Sequence, residues 1–396
     1  MRLLLGLFVV ALAESRKLIN VVEACRHGAR SPIVKHEWDT GIWPKGYGGE
    51  LTPAGEHQHY LNGAVLRRRY VEEHGLLSPK YNSSEIYVRS TDYNRTIMSA
   101  LSQLYALYPE GAQLHSSEME QAAVPPFNVS NMQAVISELG MNALPNGFQP
   151  IPVHVVSKEY DLTLRAYDPL ACPYFNEINN YIQNIGFSQQ KAFKYENGLR
   201  HIIKTTLGTD VDYFQAWSIG DTLYSDWFHG YDFPPGITMD LFWEIMDNTN
   251  YTNYYQFTQS PDMYGARLAS TKFFEDIINN FEAAMAGTSP VKFYFYSAHD
   301  TTLNGFLNGL EQFNYKNPPF ASTLFFELYD EGNGGYTVRT LYNDQHLQLK
   351  GCSQPVYCDY YEFKAFLQSR IVPNIYKMCN VTYDYPGKQR GFLSDP

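Results

Sequence analysis

In "VVEACRHGARSPIV", residues 21–34, an apolar run that opens like a strand gives way to Arg26, His27 and Arg30 around Gly28. Two more segments put polar groups at the end of an apolar run: Arg89 in "SEIYVRST", and His299 with Asp300 in "YSAHDTT". Convergent guanidinium forks suit a dianion with several oxygens, which they bind by paired charge-assisted hydrogen bonds. A histidine among them is kept neutral by the positive surroundings. Neutral imidazole is a nucleophile toward phosphorus. Asp300 can pass a proton to a leaving alkoxide. Phosphoryl transfer needs mostly positioning and charge stabilisation, which the arginines supply without a metal or other cofactor. The sequence shows no metal-ligand set; His57 and His59 read as surface or core histidines. Taken singly, His27 reads as a loop histidine, Arg89 as a salt-bridged residue and Asp300 as a helix N-cap.

The elements around these residues alternate in type. "KLINVVEAC" is a strand, and Pro32 keeps the following loop from becoming helix. In "LTPAGEHQHYLNGAVLRRRYVEEHG", Thr52 caps a helix that starts at Pro53 and ends at Gly75. "SEIYVRST" and "IPVHVV" are strands. "DYNRTIMSALSQLYALYP" is a helix with Ile97, Leu101, Leu104 and Tyr105 on one face. "GARLASTKFFEDIINNFEAAMAG" is an amphipathic helix, "VKFYFYSAHDTTLNGFLNGL" a strand, turn and helix, and "STLFFELYDEGNGGYTVRTLYND" a hairpin. This pattern predicts an α/β domain, residues 14–175 and 263–396, interrupted by a mainly helical insertion, 176–262. Ligands of such sheets bind outside the carboxyl ends of the strands, where all three polar segments fall.

Composition narrows the partners. The chain has 396 residues, 44% of them hydrophobic and 18% charged, which is globular composition. A net charge of −11 argues against nucleic acid and against a polybasic membrane-surface mode. "MRLLLGLFVVALAES" reads as a secretory signal, with Arg2, an apolar stretch and an Ala11-Leu12-Ala13 cleavage pattern, cut after Ala13. No later stretch is long and apolar enough to anchor the mature chain in a membrane. On that route five cysteines form disulfides with one left over. Cys352 and Cys358 can close a tight loop, Cys172 and Cys379 form the long-range pair, and Cys25 remains as a buried thiol. Sequons at Asn82, Asn94, Asn128, Asn250 and Asn380 agree with secretion.

"RHGARSP" (26–32), "VRSTDYNRTIMSA" (88–100) and "YSAHDTTLNG" (296–305) resemble the signature segments of the histidine acid phosphatases, branch 2 of the histidine phosphatase superfamily. "LTPAGEHQHYLNGAVLRRRY", "IPVHVV" and "ACPYFNEI" are similar to the animal prostatic and lysosomal type. The resemblance implies a phosphoglycerate-mutase-like three-layer α/β core with a helical second domain, frequently as a homodimer. It implies a phosphohistidine on His27, phosphate held by Arg26, Arg30, Arg89 and His299, and Asp300 as general acid. The expected function is a secreted or lysosomal acid phosphatase acting on small phosphate monoesters. Cys25 stands where an aromatic is usual. "YDLTLRAYDPLAC" departs from the segment that carries a further substrate-side arginine, which leaves the part of Arg165 open. The rival readings are a phytase or lysophospholipid phosphatase with the same chemistry, a phosphoglycerate-mutase-like isomerase, and a non-catalytic secreted binding protein on this fold.

Overall fold

Among the described residues eight strands form one mixed sheet in the order β3-β2-β4-β1-β5-β6-β7, with β8 also pairing β6. The computed structural model describes residues 16–115, 123–127 and 130–379. The expected signal segment and the sequons at Asn128 and Asn380 lie outside them. The strands are β1 Lys17–Arg26, β2 Ile86–Thr91, β3 His154–Val156, β4 Phe293–Ala298, β5 Thr323–Asp330, β6 Tyr336–Tyr342, β7 Gln345–His346 and β8 Cys358–Asp359. The helices are α1 Pro53–Leu66, α2 Asn94–Leu107, α3 Met132–Leu139, α4 Phe175–Asn184, α5 Gly186–Lys194 and α6 Arg200–Leu207. They continue as α7 Trp217–His229, α8 Met239–Thr258, α9 Tyr264–Met285, α10 Asp300–Gly309, α11 Tyr360–Arg370 and α12 Ile375–Met378.

Strands β1, β4, β2 and β3 are parallel, and β5 closes on β1 antiparallel. Central strands of this kind are covered on both faces, which explains the unbroken apolar runs in β1 and β4. Val22 and Ala24 of β1 pack with Phe273, Phe306 and Phe363 from α9, α10 and α11. Leu18, Val21 and Cys25 face Leu66, Leu104 and Leu107 of α1 and α2. The result is a three-layer α/β unit. Phe175, Ile219, Leu223, Phe242 and Phe257 build a separate core among the helices that follow Cys172.

The disulfides are Cys172–Cys379 and Cys352–Cys358, and Cys25 is free and buried. Thr52 caps α1, accepting from the Gly55 N–H, and beyond Leu66 the chain continues as a π-helical turn, Arg67–Glu73. The face expected of α2 is different. Leu101 and Tyr105 are exposed, while Ser99, Ala100, Gln103 and Leu104 are buried. Apolar spacing misleads here because the buried stripe carries polar groups with specific partners, as Gln103 shows below.

Candidate functional site

The register sets Arg26 level with Ala298, and Ser297 level with Ser90, so β1, β4 and β2 end at one edge. The His27 amide continues the ladder to the Ala298 carbonyl at 2.9 Å. Gly28 then lies against the first turn of α1, where a Cβ would come within 2.3 Å of the Gly55 carbonyl oxygen. A side chain at 28 would push the loop off the helix. The glycine of the Arg-His-Gly-x-Arg motif therefore answers to close packing.

His27 is buried, and its Nδ1 lies 2.8 Å from the Gly28 carbonyl oxygen. A carbonyl only accepts, so Nδ1 carries the hydrogen and Nε2 keeps its lone pair. Burial lowers the imidazole pKa well below its ordinary value, and Arg95, Arg26, Arg30 and His299 push it the same way. The ring stays neutral in mild acid.

The arginines around it are each fixed differently. Arg26 donates to the Pro318 carbonyl, reaches Asp300 at 3.0 Å and lies over the Phe320 ring at 4.3 Å. Arg30 forks onto Asp221 of α7 at 2.6 and 3.2 Å. Arg95, in the first turn of α2, sits 3.5 Å from His299 Nδ1. Burial and the neighbouring Arg30 lower its pKa to about 10, so it remains a cation. The Nε–H groups of all three are buried and unpartnered. Buried unpaired donors are costly, about 1–3 kcal/mol each, and three of them around one imidazole suit an oxyanion.

Arg89, expected among the phosphate ligands, is not brought into this cluster. Strand β2 runs two residues past it to Thr91, so its side chain leaves the sheet short of the edge. There it binds Asp161 and donates to Thr163 Oγ1 at 3.2 Å, with Asp276 also in its field. Arg95 occupies the position expected of it. A sequence signal existed, because a cation in a first helical turn opposes the helix dipole and needs a reason to be there.

His299 is buried with Nε2 2.9 Å from Thr91 Oγ1 and its ring edge-on to Tyr93. The same Tyr93 ring is flanked by Arg95 at 4.5 Å, Lys158 at 3.9 Å and Arg165 at 5.0 Å. Arg165 therefore belongs to the positive rim beside His299, held by Asp168. Asp300 is not the cap of α10; His299 is, and Asp300 is the first helical residue. Its Oδ1 accepts from the Thr301 amide at 2.9 Å, and its Oδ2 faces Arg26 and the Asn317 amide. Burial raises the carboxyl pKa, but Arg26 and Arg30 outweigh it and hold the group below its ordinary value.

Behind the site, on the α1/α2 side of β1, a buried chain of polar groups runs Glu23–Gln103–His59–Arg26 carbonyl, with contacts of 2.9 to 3.0 Å. Burial lifts Glu23 to about 8 and lowers His59 to about 4. His57 is exposed. In front, a cleft of about 370 Å³ is bounded by Arg30, Asp221 and Asp300 at its inner end. Phe214, Trp217, Tyr255, Asn253 and Gln256 form its outer walls.

Three parallel strand ends thus present a neutral imidazole, clustered guanidiniums and a carboxylate to one pocket, the arrangement of a protein that handles phosphoryl groups. Residues 17–343 match the histidine phosphatase superfamily (branch 2), and the chain belongs to that family. It is 30% identical over 384 residues to the lysosomal acid phosphatase of Xenopus laevis, covering 94% of this chain and 81% of that one. It is 31% identical over 353 residues to the human prostatic acid phosphatase, covering 86% and 82%. The phytase of Citrobacter braakii shares the fold, with a TM-score of 0.62 over 93% of this chain and 100% of that one, at 15% identity.

Proposed function

We propose that this protein is an acid phosphatase that hydrolyses small phosphate monoesters through a phosphohistidine on His27. The observation that carries the reading is the His27 ring: Nδ1–H is committed to the Gly28 carbonyl, leaving a neutral Nε2 beside unpaired arginine donors. Arg26, Arg30 and Arg95 hold the phosphate, with His299 beside it. His27 Nε2 attacks phosphorus in line as the P–O bond to the alcohol breaks. Asp300 protonates the leaving oxygen, and its carboxylate then takes a proton from the water that hydrolyses the phosphohistidine, releasing phosphate and restoring the imidazole. The arginine charges and their unpaired Nε–H donors stabilise the equatorial oxygens throughout.

The cleft favours a simple monoester over a polyphosphorylated one. Its outer walls are aromatic and amide side chains, and Asp221 and Asp300 add negative charge at its inner end. Of the basic side chains, only Arg30 lines this cleft; Arg165 and Lys158 lie beside Tyr93 on the His299 side. We take the route to be secretory, with cleavage after Ala13 and a secreted or lysosomal destination. Exposed Asn82 and Asn94 and half-buried Asn250 are the described sequon positions. Among the described residues no helix is long and apolar enough to cross a membrane. We assign residues 14–175 with 263–396 to one domain and 176–262 to a helical insertion; the helical core draws most of its residues from the insertion and shares it with Leu162, Ala166, Leu268 and Val372 of the flanking segments, and homodimer formation is proposed by analogy with the family.

Acid-quenching is the wrong trap for a phosphoramidate, which is acid-labile and base-stable, so the test is alkaline quench during turnover of labelled substrate. Label should appear on His27 and be absent from His27→Ala. An active His27→Ala enzyme would overturn the covalent route.

A further inference from the structure

Arg30 is the pocket guanidinium with a carboxylate fork of its own, and that fork comes from the helical segment, 191 residues away. Asp221 Oδ1 accepts from one terminal nitrogen at 2.6 Å, and Oδ2 from the other at 3.2 Å. Oδ2 also accepts from the Ile33 amide at 2.9 Å. One carboxylate therefore fixes both the plane of the guanidinium and the backbone three residues beyond it. The Ser31 carbonyl takes a further Arg30 hydrogen at 2.9 Å, which leaves the Nε–H as the buried, unpartnered donor. Next along α7, Thr222 Oγ1 donates to the Val34 carbonyl at 3.4 Å, so the grip continues down the loop.

We propose that Asp221 is the positioning residue for Arg30, so that the helical segment completes the phosphate site as well as walling the cleft. This rests on the reading of the pocket as a phosphoryl-transfer site. A free arginine side chain loses rotamer entropy when it is fixed on a ligand. The Asp221 fork takes that loss during folding, so the orientation is in place before phosphate arrives. The carboxylate also opposes the field of the arginines, which limits how tightly the product dianion is held and helps its release. Arg26 and Arg95 have other supports, Asp300 and Phe320 for one and Tyr93 for the other. Of the three guanidiniums only Arg30 is held by Asp221 through hydrogen bonds, so the loss of the fork falls first on Arg30.

A purely structural tie between α7 and the loop would also cost stability when broken, so melting temperature does not separate the two roles. A double-mutant cycle does. Asp221→Asn keeps the shape and breaks the charged fork. In the otherwise native enzyme it should lower kcat/KM for p-nitrophenyl phosphate 10- to 100-fold, and leave the pH optimum of kcat unmoved. In an Arg30→Ala background the same change should have less than a twofold effect. Asp221→Glu, which keeps the charge and displaces the fork by one methylene, gives a second variant should the Asn protein not fold. Native kinetics in a folded Asp221 variant, or an equal loss with and without Arg30, would overturn the proposal. Should the native protein itself fail to turn over the ester, the same cycle is read by calorimetric binding of inorganic phosphate. There Asp221→Asn must change affinity only when Arg30 is present, so failure of the enzymatic reading and failure of this one remain distinct.

Discussion

The Asp300 carboxylate stands 3.0 Å from the Arg26 guanidinium, at the inner end of the cleft and one residue beyond His299. That pair creates a problem that the mechanism must solve. A general acid must carry a proton, yet Arg26 and Arg30 hold this carboxyl below its ordinary pKa despite its burial. Above pH ~4 the unliganded enzyme therefore has Asp300 ionised. The missing proton can arrive on the substrate. A phosphate monoester has a second pKa near ~6, so in mild acid it binds as a monoanion and supplies one proton to the site. The dianion then neutralises the arginines, and Asp300 becomes the favoured place for that proton.

The pH profile follows. kcat/KM should fall about tenfold per pH unit above the second pKa of the ester, and the position of that limb should move when esters of different second pKa are compared. A limb fixed at one pH for every ester would assign it to an enzyme group instead.

Removal of the acid should be felt in proportion to the need for it. Asp300→Ala should slow an alkyl phosphate by the ~10²–10⁴-fold of general acid catalysis. p-Nitrophenyl phosphate, whose phenolate leaves with less protonation, should lose much less. Equal losses for both substrates would make Asp300 structural. A cap role is no longer available to it, since His299 caps α10.

Arg95 and Arg89 should separate cleanly. Arg95→Lys keeps the charge but loses the fork, so affinity for inorganic phosphate and kcat/KM should both drop at least tenfold. Arg89→Ala should instead cost stability, about 3–5 kcal/mol, because it strands the buried Asp161 carboxylate. The folded fraction of that variant should retain native kinetics. Kinetic loss in Arg89→Ala without loss of stability would return Arg89 to the pocket.

This pair also shows where sequence reading stops. Both arginines lie in the segment "VRSTDYNRT", to which motif and strand-end reasoning pointed. The choice between them depends on where the strand ends relative to the pocket edge, which is fixed by pairing register with β4. Arg26, His27, His299 and Asp300 were legible because each follows directly on an apolar strand. The close packing of Gly28 on Gly55 was not legible, since it depends on how the loop meets the first turn of α1. The Asp221–Arg30 fork was beyond reach, since a contact across 191 residues leaves no periodic trace. The buried face of α2 was misread for a related reason: Gln103 and Ser99 look solvent-facing until Glu23 and the Gly28 amide supply their partners.

Stability should also depend on pH in a way that suits an acidic compartment. Asp226 of α7 is fully buried with both carboxyl oxygens lacking a donor, and the carboxylate of Asp39 lies against it. Burial and Asp39 together raise Asp226 to about 8, and burial raises Glu23 to about 8. A carboxyl whose folded pKa is raised gives stability that is full below its unfolded pKa of ~4 and is lost as pH climbs to the folded value. His27, His299 and His59, with His36, His74 and His229, are shifted down, so they destabilise the fold in acid, an effect that fades only about one unit above their unfolded pKa of ~6.5. The two effects oppose each other up to about pH 7.5, and above it the carboxyls act alone. Above pH ~7.5 the folded chain therefore holds more protons than the unfolded one, and unfolding free energy should fall as pH climbs towards 8. Asp226→Asn replaces the shared proton with an amide hydrogen that can donate to Asp39 at any pH. Denaturant titrations of this variant should show a shallower fall above pH ~7.5, with native activity at pH 5. An unchanged slope would mean that Asp226 is ionised in the native protein and that its charge is met by a group other than Asp39.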